Sequence, residues 1–148
     1  MSNEISVQSR LQVIAGNVNY QATPTGYVDS VVSPITSIKG PTPGAFLAAK
    51  TGTSVNFSAL TTPGYARLRN LDKTNPVDWG VYDPSHHRFY PVGRINPGKW
   101  VDLMLSPHLQ EHYGTGTGTG TGGGGNAMQL QFRAVNAPCY VSVEAFEA

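Results

Sequence analysis

Apolar and polar residues alternate with a period of two along most of this 148-residue chain. In the segment from Ile5 to Tyr20, the residues Ile5, Val7, Leu11 and Val13 share one parity and mostly polar residues fill the other, which predicts a half-buried strand. Gly16-Asn17 predicts a turn before "VNYQAT". From Pro24 to Gly44 the chain is punctuated by Pro24, Gly26, Pro34, Gly40, Pro41, Pro43 and Gly44, leaving room only for short strands such as "YVDSVV" and "ITSIK". A second group follows in "AFLAAK" and "SVNFSAL". In "TTPGYARLRNLD" the Pro63-Gly64 pair predicts a turn, after which Tyr65, Arg67 and Arg69 alternate with Ala66, Leu68 and Asn70. "WGVYD" and "HRFYPVGRI" read as two strands joined by the turn "DPSHH", and "NPGK" turns the chain into "WVDLML". Near the end, "AMQLQFRAV" places Met128, Leu130 and Phe132 on one face. "CYVSVEAF" sets Val141 and Val143 opposite Tyr140, Ser142, Glu144 and Phe146.

Only "SPHLQEHY" predicts a helical turn, with Ser106 as its cap and Pro107 at the first helical position. Roughly eight to ten short strands with Gly/Pro turns between them predict an all-β fold, a single antiparallel β-sandwich or jelly-roll-like barrel with long loops. One domain over residues 1–148 is expected, with 1–22 a candidate N-terminal arm or strand and 114–125 a pliable Gly/Thr loop. No internal repeat and no strand–helix alternation of a nucleotide-binding α/β fold is visible.

Composition agrees with this pattern. Only 13% of residues are charged, about half the usual fraction, while 17 glycines and 11 prolines suit a turn-rich β domain and argue against helical bundles. Seven tyrosines, five phenylalanines and two tryptophans are too many for a disordered chain. The formal charge of +1 is spread over scattered Lys and Arg, so neither nucleic acid nor a membrane is an expected partner. The single cysteine, Cys139, permits no intrachain disulfide and reads as a buried small residue. "MSNEISVQSRLQV" lacks the basic and apolar regions of a secretory signal, and no apolar run is long enough for a membrane-spanning helix.

Candidate chemistry is sparse. His108-Leu109-Gln110-Glu111-His112 fits the H-x-x-E-H pattern in which two histidines bind zinc and the glutamate activates its water. That chemistry needs a long rigid helix and a third ligand downstream, and Gly114 ends any helix after about one turn. His108, Glu111 and His112 are therefore weak metal candidates on a solvated turn, and no metal or cofactor is expected. His86-His87 reads as an exposed turn pair, and Asp78 and Asp83 fall near opposite ends of one strand rather than converging as a catalytic pair. Gly118, Gly120 and Gly123 satisfy G-x-G-x-x-G, but "NAMQLQFRAV" after them reads as a strand and not as a phosphate-binding helix. Asn56-Phe57-Ser58 is a lone glycosylation sequon without a secretory signal to give it weight. Arg67 and Arg69 form a solvated or interface face opposite Leu68. Trp79, Tyr82, Phe89, Tyr90 and Trp100 read as core packing, with a sugar-stacking platform as the competing use.

Three stretches carry a family likeness: "KGPTPGAFLAAKTGTSVNFSALTTPGYARLRNLDKTNPVDWGVYDP", "RFYPVGRINPGKWVDLMLS" and "CYVSVEAFEA". In order and spacing they present a Pro-Gly turn, an "RNLD-x-TN-x-V" strand and turn, an "FYP" strand, a "PG" turn and a closing apolar strand. The chain in this respect resembles a family of small structural proteins encoded among the virion genes of tailed bacteriophages. The matching residues are Pro63-Gly64, Arg69 to Val77, Phe89 to Pro91, Pro97-Gly98 and Tyr140 to Val143. The resemblance implies a non-enzymatic virion protein, a capsid decoration or cement protein first and a tail or connector component second. Its implied partners are major capsid or tail proteins and further copies of itself, and its implied location is the virion. A carbohydrate- or receptor-binding module using Trp79 and Trp100 is the alternative from another class, and a metallohydrolase on His108, Glu111 and His112 is the third.

The Gly/Thr tract from Gly114 to Gly125 has no counterpart in that family pattern. Only 23 residues follow it, too few for a second core but enough for two strands that complete the first. It is expected to be a long connection, since loop closure costs rise slowly with length. Interface candidates are Arg67, Arg69, Trp79, His86 and His87, with Gly116, Gly120 and Gly123 as a segment that orders against neighbouring subunits.

Overall fold

The computed structural model describes residues 4–8, 11–15, 18–22, 30–34, 41–60, 62–106 and 128–147. Contacts group the chain into two compact units, Met1–Thr36 and Ser37–Ala148. In the first unit β1 (Glu4–Gln8) pairs antiparallel with β4 (Ser30–Pro34), and β2 (Leu11–Ala15) with β3 (Val18–Ala22). The β2–β3 pairing runs out to Ala15↔Val18, either side of Gly16-Asn17. The alternation from Ile5 to Val13 thus spans two strands with different partners, where the sequence pattern predicts one continuous segment.

The second unit holds β5 (Thr42–Ala48), β6 (Thr53–Ser54), β7 (Pro63–Asn70), β8 (Val77–Asp83), β9 (Arg88–Ile95), β10 (Trp100–Met104), β11 (Gln129–Ala134) and β12 (Cys139–Glu147). They form two four-stranded antiparallel sheets, in the orders β10-β7-β12-β5 and β6-β11-β8-β9. This is the all-β sandwich that the alternation predicts. Pro63-Gly64 opens β7 rather than standing before it as a free turn.

One apolar cluster draws on both sheets. From the first come Ala48, Ala66, Leu68, Cys139, Val141, Val143 and Ala145, and from the second Val77, Ile95, Leu130, Phe132 and Ala134. In β12 the odd positions face inward, while Tyr140 stands 61% exposed on the other side. Phe46 meets the edge of Phe132 with ring centroids 5.8 Å apart, an edge-to-face contact between the sheets. Gly80 is required by close approach, because a Cβ there would strike the Tyr90 carbonyl beside the register shift between Trp79 and Gly80.

The corner after β7 locks the sheets together. Asn70 is fully buried. Its Nδ2 donates to the carbonyl oxygens of Asn75 at 2.8 Å and Ile95 at 3.1 Å, and its Oδ1 accepts from the Asp72 N–H at 3.0 Å. Asp72 Oδ1 in turn accepts from the backbone N–H groups of Thr74 and Asn75, both at 2.7 Å. These donors, Asn75 first, hold the Asp72 carboxyl down at about 2. The "NPGK" turn closes with the Lys99 N–H on the Asn96 carbonyl at 3.0 Å, and Gly98 takes the positive φ of 68° that its third position demands. Gly98 then donates to the Asp72 carbonyl at 3.1 Å, so the two turns brace each other.

Two outcomes are expected. Asn70→Ala strands two carbonyls and one N–H at a buried corner and lowers unfolding stability by about 2–4 kcal/mol in urea titrations. The Asp72 carboxyl sits below its unfolded value of about 3.9, so its contribution is present above that pH and is lost as pH falls through about 2. Denaturation across that window should show a smaller acid-induced loss for Asp72→Asn than for the natural chain.

Candidate functional site

The alternation in "YARLRN" sends Tyr65, Arg67 and Arg69 to the outer face of the first sheet, and that in "WVDLM" sends Trp100, Asp102 and Met104 there too. Register joins them across the β7–β10 ladder as Arg69↔Trp100, Arg67↔Asp102 and Tyr65↔Met104. On the other flank of β7, Ser142 lies opposite Arg69 and Glu144 opposite Arg67. Tyr140 and Leu47 pair beyond them on β12 and β5. Periodicity within each strand and register between strands together assemble one surface from four strands.

Arg67 binds Asp102 through both nitrogens of its fork, Nε to Oδ1 at 2.7 Å and Nη2 to Oδ2 at 3.1 Å. The Arg67 hydrogen bonds hold the Asp102 carboxyl below the usual carboxylate range, and the carboxylate raises the guanidinium further. The same guanidinium lies 5.9 Å from the centre of the Trp100 ring. Tyr65 is buried beside this pair. Burial first, and then the neighbouring Asp102 carboxylate, push its phenol up to about 12, while Arg67 opposes them. Its hydroxyl has no hydrogen-bond partner among the described residues, and neither has the buried Ser142 hydroxyl.

The Arg69 side chain makes no ion pair or hydrogen bond among the described residues, nor does that of Glu144. Arg67, Arg69 and Trp100 line a shallow open pocket of about 200 Å³. Around it stand exposed apolar side chains: Trp100 at 56%, Met104 at 53%, Leu47 at 49% and Tyr140 at 61%. An arrangement of this kind can dock a carboxylate beside an apolar group. It does not enclose a substrate.

The other sequence-derived candidates are placed elsewhere. Trp79 is half-buried and packs against the core, with its indole against Gly93. His86 and His87 sit at the tip of the β8–β9 hairpin. There His86 Nδ1 lies 2.6 Å from Asp83 Oδ2, and His87, with a positive φ of 52°, lies 3.3 Å from the Tyr82 hydroxyl through its Nδ1. Asp83, buried and also bonded by the Ser85 N–H, is held below the usual carboxylate range, chiefly by His86. Asp78 is tied to Arg94 by two contacts of 2.6 and 3.1 Å, so Asp78 and Asp83 serve separate partners. Cys139 is buried, which pushes its thiol up. His108, Glu111, His112, Gly116, Gly120 and Gly123, together with the expected helical turn from Pro107 onward, lie outside the described residues. Among the described residues no three His, Cys, Asp or Glu side chains come together as a metal site.

Asp102 and Glu144 are absent from the set of candidates that the sequence supplies. Asp102 shares its parity with Trp100 in "WVDLML", a local signal that would have placed it beside the indole. Glu144 became visible only through cross-strand register.

The Tyr65 phenol is raised above the free value of about 10, so its contribution to stability is whole below that pH and lost as pH rises through about 12. Near-UV absorbance titration should show one late-ionising tyrosine that disappears in Tyr65→Phe. In Asp102→Asn it should move towards neutral pH.

Among the described residues no helix is long and apolar enough to cross a membrane. Compared with protein-family models, with curated proteins and with solved structures, the chain gives no match.

Proposed function

We propose that this chain is a non-enzymatic structural protein of a tailed-phage virion, a capsid decoration or cement protein assembling in many copies. One observation carries this reading: the outer face of the β10-β7-β12-β5 sheet exposes Trp100, Met104, Leu47 and Tyr140 together around two arginines. Trp, Tyr, Met and Arg are the residues enriched where protein surfaces become buried against each other. A decorated sheet face on a scaffold braced at its turns suits contact with another protein surface. The elements of the family likeness support the same reading, since Arg69 to Val77 and Pro97-Gly98 form the braced corner. Its partners are major capsid or tail proteins, with no part for nucleic acid, membrane or cofactor.

The exposed indole of Trp100 beside Arg67 and Arg69 favours a second reading, a glycan- or receptor-binding module. Mass spectrometry and imaging of purified particles of the encoding phage separate the two. Stoichiometric protein in a regular array on the capsid is the expected result. Absence from the particles, with glycan binding that Trp100→Ala abolishes, would replace the first reading by the second.

A further inference from the structure

Among the described residues, the first sheet's outer face carries one unpaired cation, Arg69, and one unpaired carboxylate, Glu144, because Arg67 and Asp102 neutralise each other between them. The register sets Arg69 opposite Ser142 and Glu144 opposite Arg67, so the two unpaired charges are diagonal neighbours on β7 and β12. Among the described residues they form no ion pair. The other sheet's outer face contrasts with this: Arg94 is bound to Asp78, and Arg133 lies 4.5 Å over the Phe89 ring and donates to Gln131 Oε1.

A face holding one charge of each sign, framed by exposed apolar side chains, is complementary to itself. In a two-fold interface each surface residue meets its counterpart reciprocally. A two-fold axis lying between the faces and crossing the Arg69–Glu144 line at its midpoint sets each arginine against the other copy's glutamate. Both ion pairs then form at once, and the apolar rim of Trp100, Met104, Leu47 and Tyr140 closes around them.

We propose that the outer face of the β10-β7-β12-β5 sheet binds the same face of a second copy of this chain, with Arg69 of each copy paired to Glu144 of the other. This contact rests on the assembly role proposed above and names its partner. Four strands about 4.8 Å apart and roughly six residues long give a footprint of about 19 by 20 Å, roughly 760 Å² over both copies, which is below the size of a stable interface and in the range of weak, transient contacts. The dimer is therefore concentration-dependent in the micromolar range and is loosened by salt.

The test is sedimentation velocity of the full chain from about 1 to 100 μM, with far-UV circular dichroism to confirm that each variant is folded. Arg69→Glu and Glu144→Arg are each expected to weaken association by roughly tenfold or more, and the double exchange to bring it back within about threefold of the natural chain. A natural chain that stays monomeric throughout, folded single variants that associate unchanged, or a double exchange that restores nothing would each overturn the proposal. The first outcome would leave the face to an unlike partner, and the last two would place self-association on another surface or on other contacts. The virion reading fails separately: a chain missing from particles while the charge exchange still restores the dimer sinks that reading and leaves this contact standing.

Discussion

The buried amide of Asn70 is the constraint on which the sandwich depends. Apolar packing holds two sheets together but has no direction, so by itself it leaves their relative placement loose. A primary amide withdrawn from water has no such latitude, because every unmet donor or acceptor costs desolvation energy. Asn70 belongs to a strand of the first sheet, while the Ile95 carbonyl that it binds ends a strand of the second. Satisfying that one side chain sets the separation of the sheets at this corner. It also places the end of β9 beside the start of β8, where Val77 and Ile95 meet as a fully paired core couple.

Once the inner faces are set, strand alternation dictates what remains outside. On the second sheet the outward charges are consumed by their neighbours, Asp78 by Arg94 and Arg133 by Phe89 and Gln131. On the first sheet the Arg67–Asp102 pair occupies the centre and leaves one charge of each sign beside it, among exposed apolar groups. The two faces differ because cross-strand register matched charges on one and staggered them on the other. Composition alone, with its low charge, could not distinguish a face that is satisfied from one that is not.

What was legible in the sequence was local. The alternation in "YARLRN" and "CYVSVEAF" correctly separates inside from outside, and "RNLD" followed by "TN" announces a strand that ends in side chains bonding their own backbone. Non-local facts escaped. Asn70 reads as a turn former, and nothing near it signals an acceptor 25 residues away. Trp79 and Trp100 look equivalent as aromatic residues in short strands, yet one packs on the core and the other stands 56% exposed. That difference follows from which neighbour each strand pairs with. Register also made Glu144 a neighbour of Arg67, a relation that period-two reasoning within one strand cannot reach. The histidine and glycine candidates from His108 to Gly123 fall outside the described residues and add nothing to either side.

The ionisable groups are held by the shape of the fold. Proton transfer at neutral pH favours groups whose affinity for the proton is brought towards neutrality. Among the described residues the shifts run the other way. Asp72, Asp83 and Asp102 are pushed down, Arg67 and Arg94 up, and Tyr65 and Cys139 up. Each is driven deeper into its resting charge state by a turn, an ion pair or burial. Structural ion pairs, capped turns and burial perturb ionisation in the same way as a catalytic cleft does. Here carboxylates are fixed as charges and the phenol and thiol as neutral groups. Their polar chemistry fixes the shape on which the outer face of the β10-β7-β12-β5 sheet is carried.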